Sequence, residues 1–546
     1  MQQPISQIVV IGGGSAGWIT AGLLAAEHNV DKGQISPSPK LDICVIESPD
    51  VATIGVGEGT WPSMRSTLQK IGISETQFML CCDASFKQGS EFINWHQSPA
   101  ENTEQSSNIA NRYYHPFSLP TTQAEFPIAQ YWLPFANQVS FTEAVTSHFH
   151  VSQLHLAPKQ ISTAEYGFIN NYGYHLNAAK FGQLLQQHCT EKLGVRYIQD
   201  HVEAVQLVTE STQHLNGCSI NDNAELGDIH AITTRNHGDV HAQFFIDCTG
   251  TKALLLGEAL KVPFVSHKQV LFNDCALALQ VPYASEQTDI ASNTRSTATD
   301  NGWIWDIGLP SRRGIGHVYS SAHQSDEQAL EQLIGYIEPQ LGSKASDISP
   351  RKLNIEPGHR QVCWHKNCVA IGMASGFIEP LEASALALIE WLAGAVATQL
   401  PANRSIMNTV AKRINTQFEQ HWQQIIEFLK LHYVLSERQS DYWQDHRAEA
   451  TAYAPLAEKL QLWQHHVPSQ HDILHKNALF PAQSYQFILF GMGAITQASS
   501  QLKPSLKQQA QQIFTENANR SQQLVKALPS NRSLLAQLRQ HGFPLI

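Results

Sequence analysis

Residues Gln7 to Leu24 read QIVVIGGGSAGWITAGLL: a short apolar run, a glycine turn, then an Ala- and Leu-rich helical stretch. Gly12, Gly14 and Gly17 form GxGxxG within it. That order commits the chain to a βαβ opening. Gly12 permits the tight turn, Gly14 lets a pyrophosphate approach the backbone at the helix N-terminus, and Gly17 lets helix and strand pack closely. Ser15 and Ala16 sit in the same turn and join the candidate cofactor-binding residues. The next apolar run, KLDICVIES, ends on Glu47, a carboxylate that can accept from a ribose hydroxyl. Its distance from Gly17 exceeds the usual ~20 residues, and the insertion DKGQISPSPK accounts for the excess. The motif alone does not choose the dinucleotide. A further buried strand running into Asp247–Gly250 (DCTG) suggests a second return of the chain to the same nucleotide, which is more like a flavoprotein than a nicotinamide enzyme.

A chain of 546 residues, 42% hydrophobic and 15% charged, can bury a sizeable core. The net charge of -11 argues against general affinity for nucleic acid or anionic membrane. Nine cysteines include no CxxC pair, and neither Cys81–Cys82 nor Cys363 with Cys368 suits zinc, so no metal site is expected. Reduced thiols and the absence of a basic, cleavable leader point to a cytoplasmic protein. ALALIEWLAGAVATQL is the most apolar stretch, but Glu390 interrupts it, so it is expected as a buried helix rather than a membrane span. Up to about residue 400 strands and helices alternate; from Pro401 glycine becomes sparse and Gln, Leu and Ala run in helical patterns. The expected fold is α/β: a Rossmann-like βαβ body over 1–400 with an additional β-sheet, and a mostly α-helical C-terminal module over 401–546.

In NGWIWDIGLPS, Trp303 and Trp305 flank Ile304, so on a strand both indoles face the same way. By itself this means two core tryptophans. Lys87 lies between the apolar positions Phe86 and Phe92 and is either a solvated lysine or a buried ammonium. Glu382 precedes a long apolar helix, where a carboxylate also suits the helix dipole, as would Glu379. His115 and Phe117 alternate on an extended run and share a face.

Six segments in order resemble the flavin-dependent tryptophan halogenases: VVIGGGSAGW, TIGVGEGTWPS from Thr53, ASFKQGSEFINW, YYHPF, GWIWDIGLP and GFIEPLEASA. The resemblance implies FAD, delivered reduced by a separate flavin reductase, with Val56, Gly57, Met373 and Leu386 added to the cofactor contacts. It implies chloride or bromide as co-substrate, held by the backbone amides of Ser384 and Ala385. It makes Lys87 and Glu382 the catalytic pair that directs hypohalous acid, His115 and Phe117 the aromatic pocket, and Trp303 and Trp305 a wall keeping substrate from flavin. The substrate is then a small indole-like aromatic, completed in its pocket by the helical module, and a homodimer stays open. Two departures stand out. Gly308 and Leu309 separate Ile307 from Pro310, where the family signature has Pro directly after Ile. Ala383-Ser384-Ala385 replaces Ser-Thr-Gly, and the alanine at 385 is expected to restrict the backbone. The late residues that grip an amino acid backbone in tryptophan-specific members are not evident. A flavin monooxygenase on the same scaffold, or a silent flavin- or aromatic-binding relative, are the competing readings.

Overall fold

The computed structural model describes residues 3–30, 40–51, 57–99, 111–120, 126–210, 224–347, 349–473, 475, 477–494, 496–497 and 502–545. The opening strand, Gln7–Ile11, lies inside a six-stranded sheet. Parallel neighbours Asp42–Glu47 and Phe244–Asp247 flank it; Arg196–Gln199 extends one side, and Cys368–Ala370 with the antiparallel Trp364–His365 extends the other. The near-continuous apolar runs follow from this placement, since a strand covered on both faces has no polar side to show. The helix Ser15–His28 packs between the helices Ala178–Lys192 and Ser384–Thr398 and is buried on most of its circumference. Asn177 caps the helix Ala178–Lys192, accepting from the amides of Ala179 and Lys180.

A second sheet has seven strands, in the order Arg351–Asn354, Cys275–Pro282, Arg312–Tyr319, Gly302–Gly308, Thr294–Thr299, Gly89–Ile93, Arg112–Pro116. Alternation along Gly302–Gly308 divides its side chains as expected. Trp303 and Trp305 enter the main core, whereas Ile304 faces a separate cluster with Ala329, Leu333 and Ile337 of the helix Asp326–Leu341. The Trp305 ring lies across its neighbouring strand, and a Cβ at Gly316 would come within 2.1 Å of it.

A small antiparallel sheet joins these layers: Glu58–Gly59, Gly173–Leu176 and Ser85–Lys87. Lys87 ends this sheet and Gly89 begins the seven-stranded one. A Cβ at Gly89 would lie 2.3 Å from the His115 carbonyl, so glycine is needed where the chain changes sheets.

Beyond residue 401 the described chain forms helices, the longest being Arg404–Val434, whose last turns are buried throughout. Their apolar faces join the same continuous core as the α/β body. ALALIEWLAGAVATQL supplies most of the helix Ser384–Thr398. Its interrupting Glu390 is buried and accepts from Ser63 Oγ at 3.1 Å and Thr67 Oγ1 at 2.5 Å. Burial pushes that carboxyl up to about 8. No described helix is long and apolar enough to cross a membrane.

Candidate active site

The glycine turn separates into positions that the fold requires and one that it does not. At Gly12 (φ 112°) a Cβ would lie 2.2 Å from the Cys248 carbonyl oxygen, and at Gly17 1.9 Å from the Gly12 carbonyl oxygen. Both glycines are dictated by close packing of strand, turn and helix. At Gly13 a Cβ would meet the Glu47 carboxylate. At Gly14 it would meet none of the described residues within 4 Å. A glycine that packing does not require, at the start of a 14-residue helix with no side-chain cap, leaves a cradle a ligand can enter. Glu47 ends its strand half-buried beside this turn and accepts from Tyr197 at 3.0 Å; burial raises its carboxyl. Asp247 plays a different part. It is fully buried and accepts from Thr249 and from the amides of Leu255 and Leu256, so it fastens its own turn.

The turn Gly372–Ala374 reaches the same helix start: a Cβ at Gly372 would lie 2.9 Å from the Ala16 Cβ. Met373 belongs to that turn, while Leu386 is buried in the first turn of Ser384–Thr398. Gly57 is half-buried near Ile307. Val56 lies outside the described residues.

Lys87 is completely buried, and its Nζ makes no hydrogen bond among the described residues. Phe117 places its ring face 5.3 Å from the ammonium. A Cβ at Gly59 would lie 3.1 Å from Nζ and 3.3 Å from the Ala383 Cβ, so strand 58–59, Lys87 and the turn after Glu382 converge. Desolvation lowers the ammonium to about 8, against the opposing pull of the Glu382 carboxylate. The two charges act on each other without closing an ion pair.

Glu382 is 3% exposed and held from three sides. His115 Nδ1 approaches its two oxygens at 3.0 and 3.1 Å, His432 Nε2 stands 3.2 Å from Oε1, and Ser90 Oγ donates at 3.3 Å. Ser90 and His115 are directly opposite in the strand pair 89–93 and 112–116, which aims both at one carboxylate. Burial pushes the Glu382 carboxyl up, but the two imidazoles outweigh it and hold the group down at about 2. His432 contacts Tyr113 OH through Nδ1 at 2.8 Å, His115 contacts Ser484 Oγ through Nε2 at 2.9 Å, and Trp61 donates to the Glu382 carbonyl at 2.8 Å. Thus Lys87, Glu382, His115 and Phe117, far apart in sequence, form one centre. Ser90, Trp61, His432 and Ser484 complete it and were not singled out by sequence reasoning. His432 lies on a buried helix where spacing reads only as core, and Ser90 becomes visible only through its register with His115.

Trp303 is not simply a filler. Its indole N–H donates to Glu379 Oε2 at 2.9 Å, an oxygen that also accepts from Asn273 at 2.6 Å and Tyr433 at 2.8 Å. Trp303 and Trp305 meet edge-on, with ring centroids 6.4 Å apart. A buried carboxylate therefore fixes the orientation of the first indole.

The turn after Glu382 supplies free amides. Ser384 and Ala385 are the first two residues of a 15-residue helix with no side-chain cap. Ala385 has ordinary helical backbone, so alanine does not restrict it there. The constraint falls on Ala383, at φ 54° and ψ 40° in the left-handed region. A cavity of about 50 Å³ adjoins the helix start, lined among others by Met373, Glu379, Ser384, Ala385 and Trp422. It has room for an ion or a water or two.

A family model described as tryptophan halogenase matches residues 7–508. A tryptophan halogenase structure from Shewanella frigidimarina NCIMB 400 superposes with a TM-score of 0.93 at 57% identity, covering 100% of both chains. The 7-chloro-L-tryptophan 6-halogenase KtzR of Kutzneria sp. (strain 744) is 31% identical over 97% of this chain and 99% of its own. BrvH, a flavin-dependent halogenase from Brevundimonas sp. BAL3, superposes with a TM-score of 0.80 at 28% identity, covering 98% of this chain and 99% of that one.

Proposed function

The chain belongs to the tryptophan halogenase family and is a flavin-dependent halogenase, and we propose that Lys87 and Glu382 together direct hypohalous acid onto a small, indole-like aromatic substrate. The observation that carries this is the buried Lys87 ammonium, without a hydrogen-bond partner among the described residues, facing the Glu382 carboxylate across a space that no ion pair closes. An unsatisfied buried donor is costly, and a small polar oxidant lodged there removes the cost. Reduced FAD, supplied by a partner reductase, contributes with dioxygen the oxidising power that converts halide to hypohalous acid. Gly12, Gly14, Ser15, Ala16, Gly17 and Glu47 would hold the dinucleotide, with Gly57, Met373 and Leu386 towards its flavin end.

The remaining roles belong to the chain's own side chains. The Lys87 ammonium donates to the oxidant and fixes where its halogen lies, which gives regioselectivity by position. Phe117 covers that ammonium and offers the same aromatic surface to a substrate ring. Glu382, whose surroundings favour its ionised form, accepts the proton that the halogenated ring must lose. His115 and His432 keep it ionised and aimed. Trp303, pinned by Glu379, stands with Trp305 as a rigid partition.

The test is product analysis with reduced FAD, dioxygen, bromide and a panel of indoles and phenols. Tryptophan heads the panel, because the Shewanella frigidimarina and Kutzneria relatives are tryptophan halogenases. A bromine isotope doublet is expected in the product mass spectrum. A hydroxylated product would instead mark a monooxygenase, and flavin binding with no product a silent relative.

Gly14→Val tests the cradle separately. An added Cβ meets no described residue within 4 Å and the φ of -74° suits an L-residue, so the variant should fold, with the melting temperature lowered only by the poorer helix cap. The expected FAD dissociation constant rises at least about tenfold, read by titrating flavin absorbance. Unchanged flavin affinity would remove the dinucleotide from this turn.

A further inference from the structure

We propose that Glu379 is a halide-binding residue that acts in its protonated form: its Oε1–H donates to a halide held at the amides of Ser384 and Ala385, so that at any pH where the empty site is ionised each halide bound brings one proton with it. The inference rests on the halogenase reading of this cavity.

Glu379 is 2% exposed and lines the same cavity as Ser384 and Ala385. Its two oxygens are treated very differently. Oε2 accepts from Trp303, Asn273 and Tyr433, while Oε1 is buried and takes no hydrogen bond among the described residues. Three donors on Oε2 leave Oε1 as the oxygen for a proton. A neutral carboxylic acid there needs an acceptor, and an anion at the helix start supplies one. An ionised carboxylate at the same spot would instead repel that anion in a poorly screened site.

The surroundings of Glu379 agree. Burial raises its carboxyl above the ordinary range, with the three donors and Lys430 pulling the other way. Lys430 spends its ammonium on the Val270 carbonyl at 3.0 Å and on Thr451 at 3.2 Å. From the same helix Tyr433 donates to Glu379, and from the helix Asp441–Arg447 Tyr442 reaches Asn273 while His446 stacks on Tyr433 at 4.0 Å. His359 lies behind the cavity wall, stacked on Trp422. Three residues away, Glu382 is clamped by two imidazoles and held at about 2. One turn therefore carries two buried carboxyls whose surroundings push them apart, one towards acid and one towards base.

The experiment is bromide titration of the FAD-loaded protein by calorimetry from pH 6 to 9, in buffers of different ionisation heat. Lys87 and Lys430 also lose charge in this range, at about 8 and about 7, so Glu379→Gln is the comparison that isolates the carboxyl. Above the carboxyl's ionisation the unmodified protein is expected to take up as much as one proton per bromide and to weaken by up to about tenfold per pH unit, with neither effect below it. Glu379→Gln keeps a neutral donor and should bind bromide with a clearly shallower pH slope. An infrared difference spectrum of the unmodified protein should gain or shift a protonated-carboxyl C=O band on adding bromide, which decides the matter even if the variant misfolds. Bromide binding with no such band, or with the same pH slope in the variant, overturns the role of Glu379 and leaves the halogenase reading standing. No bromide binding at any pH by the unmodified protein overturns the halide site itself.

Discussion

Lys87→Ala is expected to lower halogenated product at least about a hundredfold while dioxygen continues to reoxidise the bound reduced flavin. The lysine sits beside Gly59 and the turn after Glu382, and its proposed work begins only once the oxidant exists. Losing it should uncouple flavin oxidation from substrate halogenation rather than stop it. The oxidant then escapes and appears on an added amine trap. Loss of flavin reoxidation in the variant would contradict this assignment. The unmodified protein offers a second check, because burial brings the Lys87 ammonium to about 8, within reach of ordinary assays. A buried lysine can serve here in two ways, as a charged hydrogen-bond donor or as a neutral amine that takes up the halogen. The Phe117 ring face at 5.3 Å stabilises the charged form. Product formed per flavin oxidised should therefore fall as pH rises through about 8. A rise through the same range would favour the neutral amine.

The nucleotide half of the molecule was legible because local rules dictate it. GxGxxG between an apolar run and a helix has few structural solutions, and the strands and helix appear where the pattern puts them. The motif already assigns Gly17 to close packing and Gly14 to the ligand; what spacing could not show is that Gly12 is fixed by the carbonyl of Cys248, more than 200 residues away. The paired indoles were legible as a shared face through the two-residue period of a strand. Their anchoring was not, because Trp303 donates to Glu379, which Asn273 and Tyr433 hold in turn, all three from other segments. The centre around Glu382 was half legible. Single residues such as Lys87 and His115 stand out by type and by resemblance, but the burial that makes them chemically unusual comes from long-range packing. His432 illustrates the limit: in a helix buried through its last turns, a histidine in the sequence looks like any other core position. The alanine at 385 shows the opposite error. Sequence reasoning placed a backbone constraint there, yet helix geometry absorbs it and passes the strain to Ala383.

Glu382→Gln should cost about 10²–10³-fold in halogenation, with flavin binding and flavin reoxidation intact. The amide keeps the size of the carboxyl and one accepting oxygen, so packing is preserved. It removes the negative charge that His115, His432 and Lys87 all face. It also turns one oxygen into a donor pointing at an imidazole or at Ser90, so at least one of these contacts becomes unfavourable. The halogenated ring then has no carboxylate to take its proton. The same change is expected in the stability curve, with a sign that follows from the linkage of protons to folding. The folded carboxyl is held at about 2, below its usual 4.5. It therefore stabilises the fold above the ordinary carboxylate range and loses that contribution as pH falls from about 4.5 towards about 2. Glu382→Gln should flatten this acid limb in urea melts taken across that window, while the unmodified protein weakens steadily. An acid limb identical in both proteins would mean that the two histidines do not hold Glu382 ionised, and the proton acceptor of the reaction would then have to be sought elsewhere in the centre.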